Sequence, residues 1–252
     1  MFIATHGIVK SLTTTPSFIS GATMITYWDI QNSSSYSGSG TTITDLDGTN
    51  NGTLVGSVPY TSGTPKYLSL DSTTSNYVRT STNLNSSLSP ANTGTNISVF
   101  TWVYPTSNGV IVSEQGTTSP DTSWYDSQIE WVSGTPRFSV WQYTIGGPPL
   151  ITSSVSAGLN AWHYVGFTYN GTTLTAYVNG QSAGNSNISR QTPYNTGGGV
   201  GLYYTLGYPT STNMGSGAGA NYRLGAFHVW NDAISSSTIL NNYNATRGKY
   251  GK

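Results

Sequence analysis

The chain contains no cysteine, and that absence removes disulfides, thiolate metal sites and thiol nucleophiles together. Charge is almost as scarce. Only 7% of the 252 residues are charged, against about 25% in an ordinary domain. Nine Lys plus Arg balance nine Asp plus Glu, and the basic residues, scattered from Lys10 to Lys252, form no stripe. This pattern argues against a nucleic-acid partner. Long apolar runs are missing as well: none approaches the roughly 20 residues of a membrane-spanning helix, which argues against a membrane partner. The first residues, Met1 to Gly7, lack the basic and long apolar regions of a secretion signal. Scarce charge also limits amphipathic helices, which need a polar, charged outer face.

What is present points to a folded β-protein. Aromatics reach 12%, with 18 Tyr and 7 Trp among abundant Gly, Ser, Thr and Asn. A disordered chain is poor in aromatics and usually highly charged, the opposite of this composition. The length suffices for one large sandwich with a full-sized core. Strand signals recur along Met24–Asp29, Tyr67–Asp71, 76–79, 97–104, 110–112, 128–132, 137–143 and 223–230. The 97–104 run alternates cleanly, so Phe100 and Trp102 share one face, and Pro105 ends it.

Two hairpins stand out. His163–Tyr169 and 174–178 flank Asn170-Gly171, and a second Asn-Gly pair, Asn179-Gly180, closes the unit. The runs 128–132 and 137–143 join through Ser133-Gly134-Thr135-Pro136. A single C-terminal helix is expected from Ser236, capped by Ser235, with Ile234 and Ile239 at the staple positions and Gly248 as its stop. Residues 1–20, apolar at Phe2-Ile3 and Ile8-Val9, read as an arm or edge strand that could anchor an assembly. The domain proper spans 21–252.

The order of several motifs carries a resemblance. The stretch from Trp162-His163 to Tyr177-Val178-Asn179-Gly180 resembles the central hairpin of concanavalin A-like, laminin-G-like jelly-roll domains. The 97–105 strand and the closing Phe227-His228-Val229-Trp230-Asn231-Asp232-Ala233-Ile234-Ser235 are similar to strands of the same family. Tyr36 to Gly48 and Asn244 to Gly251 resemble the subset found in tailed-phage and large-virus structural proteins. The resemblance implies an all-β jelly roll of two antiparallel sheets with one short C-terminal helix.

It also frames the chemistry. Glycoside hydrolases of this family carry Glu-x-Asp-x-x-Glu on one strand, which places the carboxylates on one face. The chain has two glutamates, Glu114 and Glu130, and neither lies in such a run. No Gly-x-Ser-x-Gly accompanies His6, His163 or His228, so a serine triad has no support, and the histidines read as structural. No catalytic residue and no cofactor are expected. The resemblance leaves calcium open, because related domains hold it at one rim, and Asp45, Asp47, Asp71, Asp121 and Asp126 lie in or near loops. For Asp45 and Asp47, turn capping is an adequate alternative.

Sugar binding would need flat aromatic faces beside amides and hydroxyls. Trp124, Tyr125, Tyr203 and Tyr204 are the candidate carbohydrate-binding residues, with Trp141 and Tyr143 behind them. The competing account puts Trp141 and one member of each pair in the core. The expected function is a non-enzymatic virion structural protein, a capsid decoration, fibre or tail component. It would be present in several copies or as a homo-oligomer beside other virion proteins, and would bind host surface glycans weakly. A secreted microbial carbohydrate-binding module and a glycoside hydrolase are the alternatives.

Overall fold

The computed structural model describes residues 17–21, 23–48, 50–88, 96–142, 150–190, 201–210, 214–216 and 219–252. The strands in chain order begin with β1 (Met24–Asp29), β2 (Thr42–Ile43), β3 (Gly52–Val55), β4 (Tyr60–Thr61), β5 (Tyr67–Asp71) and β6 (Tyr77–Thr80). They continue with β7 (Ile97–Pro105), β8 (Gly109–Gln115), β9 (Tyr125–Val132), β10 (Thr135–Phe138) and β11 (Ile151–Thr152). The last five are β12 (His163–Tyr169), β13 (Thr173–Val178), β14 (Gln181–Asn187), β15 (Tyr203–Leu206) and β16 (Asn221–Trp230). A single helical turn, α1 (Asn85–Leu88), and the helix α2 (Ser236–Thr246) complete the elements used below.

Two antiparallel sheets pack face to face. The first runs β14-β13-β12-β7-β16-β5-β4, with β1 also paired to β16, and the second runs β11-β10-β9-β8-β15-β6-β3-β2. The fold is therefore the expected jelly-roll sandwich with one short C-terminal helix. Between the sheets, Val99, Val103, Val165, Phe167 and Phe227 of the first meet Leu54, Val78, Val112, Ile129, Trp131 and Leu206 of the second in one buried core. Alternation sends Phe100, Trp102, Tyr164 and Trp230 to the other face of the first sheet. There they form a second core with Ile239 of α2 and with Tyr250. This is why Phe100 and Trp102, expected to share a face, are both fully buried.

The turns follow the sequence closely, with two differences. Asn179 and Gly180 take positive φ (52° and 80°) and reverse the chain in two residues, as a right-handed strand twist requires. Ser133 and Gly134 do the same between β9 and β10 (52° and 75°). That hairpin is tighter than the expected four-residue link, and Pro136 already lies opposite Trp131 within the ladder. The second difference lies at the C-terminus. Ser235 caps α2 as expected, accepting the Thr238 N–H at 3.1 Å. Gly248, however, does not stop the chain's helical path. A 3-10 turn continues through Arg247–Tyr250, and Gly251 (φ 70°) ends it. Tyr250 fixes this extra turn by stacking on Trp102 at 4.2 Å and packing on Trp162 at 4.8 Å.

Residues 1–16 of the expected arm lie outside the described residues. The residues just after them pack on the body. Phe18 stacks on Tyr27 at 4.6 Å and lies 4.8 Å from His228. Asn242 brackets Ile19, accepting its N–H at 2.7 Å and donating to its carbonyl at 3.1 Å.

Candidate functional site

The aromatic candidates gather at one end of the second sheet. Tyr203 opens β15, Gln115 closes β8 and Tyr125 opens β9, and the register sets Tyr203 opposite Gln115 and Gln115 opposite Tyr125. Directly opposed residues share a face, so the two tyrosines flank one glutamine, with their strands about 10 Å apart. Tyr125, Tyr203 and the adjoining Trp124 are each half-buried. Backbone bonds extend this edge beyond the strands: Gly116 N–H donates to the Trp124 carbonyl, and Gly201 N–H donates to the Gly116 carbonyl, both at 2.7 Å. A Cβ at Gly201 would come within 2.4 Å of the Tyr203 ring, so the ring's seat needs glycine there.

Gln115 is buried and spends its amide on the loops above it. Its Nε2 donates to Thr210 Oγ1 at 2.9 Å, and its Oε1 accepts the Asp121 N–H at 3.1 Å. The row is therefore two tyrosine rings separated by an amide clamped to two loops. Gln115 was not among the sequence candidates. Its signal was only indirect, as the last strand residue before the Gly116–Trp124 loop.

Tyr204 does not belong to this row. Adjacent strand residues point to opposite faces, and Tyr204 turns into the core, where its ring lies 5.5 Å from Phe227 and is wholly buried. It offers no face to a sugar. This corrects the expectation that both tyrosines of the pair were candidates. Trp141 is half-buried, and its N–H donates to Asp126 Oδ2 at 2.9 Å; Tyr143 lies outside the described residues.

Neither glutamate is placed for catalysis. Glu114 lies opposite Tyr204 and Asp126 on the core face. It pairs with the buried Arg190 at 2.7 Å and accepts a short hydrogen bond from Gln128. Glu130 faces the other way. It accepts the N–H groups of Met214 (3.2 Å) and Ser216 (3.1 Å), while Arg137, opposite it on β10, donates to the Met214 carbonyl at 2.7 Å. Both carboxylates are buried and committed to structure.

His163 and His228 are held in structural contacts. His163 bonds the Gly158 carbonyl through Nε2 at 2.9 Å, and Asn179 lies 3.3 Å from its Nδ1. Burial lowers its pKa, as burial disfavours the charged ring. His228 sits among Phe18, Tyr27, Tyr164 and Trp230, and burial pushes its pKa down to about 3. His6 lies outside the described residues.

Asp45 caps its own turn, its carboxylate accepting the N–H groups of Tyr27 (2.8 Å), Asn50 (3.0 Å) and Asp47 (3.2 Å). Among the described residues, no three His, Cys, Asp or Glu side chains cluster so as to hold a metal ion.

The profile of the family described as "Concanavalin A-like lectin/glucanases superfamily" matches residues 71–240, more than half of the chain. No curated protein matches it in sequence. Among solved structures, the binding domain of Paraclostridial Mosquitocidal Protein 1 is similar with a TM-score of 0.62 and 14% identity, covering 91% of this chain and 55% of that one. The botulinum neurotoxin serotype C1 binding domain gives 0.63 and 16%, covering 88% and 52%. The binding domain of botulinum neurotoxin DC, solved in complex with SialylT, gives 0.61 and 15%, covering 89% and 52%. The chain spans about half the length of these structures, and at such identities the likeness is one of fold.

Proposed function

Because the chain belongs to the concanavalin A-like lectin/glucanase superfamily, we propose that it is a non-enzymatic glycan-binding module, carried in several copies on a virus particle as a decoration, fibre or tail component. The observation that carries the binding half is the Tyr203–Gln115–Tyr125 row, with Trp124 next to Tyr125 in the chain. The two tyrosines are partly exposed rings on strands flanking β8, next to hydroxyl-rich loops. Rings of this kind stack on the apolar faces of pyranoses, and a chain with only 7% charged residues suits a neutral polysaccharide. Opposed facing of the two glutamates supports a binding role over hydrolysis.

The virion half is supported by the resemblance of Tyr36–Gly48 and Asn244–Gly251 to viral structural proteins. Several copies on one particle would raise weak single-site binding through avidity. A glycan array probed with a multivalent form tests the binding reading. Binding should be lost with Trp124→Ala, Tyr125→Ala or Tyr203→Ala. Absence of any binding, or binding that no aromatic variant alters, leaves a purely architectural role as the better account. Mass spectrometry of purified particles tests the location. Detection only in the culture supernatant of uninfected cells would favour a secreted carbohydrate-binding module.

A further inference from the structure

Arg223 lies on the outer face of the first sheet, away from the Tyr203–Gln115–Tyr125 row. It sits on β16 between Tyr104 of β7, its direct cross-strand partner, and Tyr67 of β5. Its guanidinium carbon is 4.4 Å from the Tyr104 ring centre and 4.9 Å from that of Tyr67. Both tyrosines lean on the buried Trp162, at 5.8 Å and 6.2 Å, and Trp162 in turn packs on Tyr250. The cation is thus held in an aromatic frame.

Nothing described consumes its donors. The two ion pairs among the described residues, Arg190–Glu114 and Lys249–Asp29, leave Arg223 out, and its N–H groups donate to no described residue. On this face Asp71, opposite Asn221, has its oxygens taken by Thr73 and Asn76, and Asp29, opposite Ala226, is paired with Lys249. Stacking engages the faces of a guanidinium and leaves its N–H edge for in-plane bonds. The residue before Tyr67 is Lys66, and Asn221, two positions from Arg223 on the same face, is exposed.

We propose that Tyr67, Arg223 and Tyr104 form a second ligand site, for a sugar bearing a carboxylate such as a uronate. The planar fork matches a carboxylate with two parallel bonds, which a compact ammonium cannot do. The tyrosine rings flank the pyranose, and Asn221 offers an amide to its hydroxyls. The site goes beyond the neutral-glycan reading and does not depend on it, because it lies on the opposite sheet and selects by charge.

Calorimetry with oligogalacturonate, its carboxyl-reduced neutral form and dextran sulfate tests this. The expected result is binding of oligogalacturonate alone, weakened about tenfold or more by Arg223→Gln. Tyr104→Leu, which keeps the charge but removes a stacking ring, should also weaken binding, and so should Arg223→Lys. Trp124→Ala and Tyr203→Ala should leave it unchanged, so that failure of this site and failure of the neutral-glycan site read out separately. Thermal unfolding checks that each variant is folded. Equal binding of the neutral form overturns the proposal, as does unimpaired binding by Arg223→Gln. Tight dextran sulfate binding with Arg223→Lys behaving as the native protein would show plain charge attraction instead.

Discussion

Glu114 and Glu130, the two glutamates of the chain, stand on opposite faces of the second sheet. Two irregularities between β8 and β9 produce this arrangement. Ile111 and Gln128 are each an extra residue in the ladder, and they set Glu114 beside Tyr204 on the core side and Glu130 beside Val110 on the other. Glycoside hydrolysis needs its two carboxyl groups flanking one bond, about 5–9.5 Å apart across a shared cleft. Glu114 is instead one end of an interior ion pair with Arg190.

That pair makes the first prediction. Removing one partner strands a buried charge, so Glu114→Ala should cost about 3–5 kcal/mol. Replacing both ends with apolar residues, Glu114→Leu with Arg190→Met, should recover most of the loss, because desolvation offsets much of the attraction in the native pair. Urea unfolding of the two variants measures both. A double variant as unstable as the single one would mean the cluster's role is not electrostatic.

Trp102 ties α2 to the sheet in two ways. Its ring stacks on Tyr250, and its Nε1 donates to Thr246 Oγ1 at 2.9 Å. Trp102→Ala should lose about 3–5 kcal/mol and expose the C-terminal segment to limited proteolysis. Trp102→Phe keeps a ring and forfeits the hydrogen bond, so the loss should be about 1 kcal/mol.

Much of this was legible because local chemistry decided it. Asn179-Gly180 and Ser133-Gly134 needed positive φ, and alternation bound Phe100 to Trp102. The hidden part was which face is which. Alternation says that Tyr203 and Tyr204 point apart, but only the pairing of β15 with β8 and β6 turns Tyr204 inward. The bulges at Ile111 and Gln128 change the parity of the strands, and no residue there announces them. Arg190 meets Glu114 across 76 positions, and Tyr250 prolongs the helical path past Gly248 through contacts with Trp102. Such long-range partners leave no local signal.

His228 gives a pH prediction. Burial, with a smaller contribution from Lys249, lowers its pKa from 6.5 to about 3 in the folded protein. The native ring stays neutral while the unfolded chain takes up a proton, so the unfolded state binds more protons between those values. Its contribution is complete above pH 6.5 and is lost as pH falls toward 3. The slope is at most about 1.4 kcal/mol per pH unit. His228→Phe should flatten the fall in stability across this window, measured by urea unfolding from about pH 7 to about pH 4. The slope that remains should include His163, whose pKa is also lowered. An unchanged slope would show that His228 does not carry the effect.

Gln115 links the stability of the fold to the proposed glycan site. It lies between Tyr203 and Tyr125 and holds the loops above it through Thr210 and Asp121. Gln115→Leu keeps the bulk of the side chain but strips the Asp121 N–H and the Thr210 hydroxyl of this partner. The expected loss is about 1–3 kcal/mol. The loops should also loosen, and the two rings with them, so multivalent glycan binding should fall toward the level of Tyr203→Ala. Unfolding and array binding, measured on one preparation, distinguish the roles. A variant that loses stability yet binds like the native protein would mean that sugar is not held on this row. A variant that loses binding with little loss of stability would make Gln115 a positioning residue for the two tyrosines.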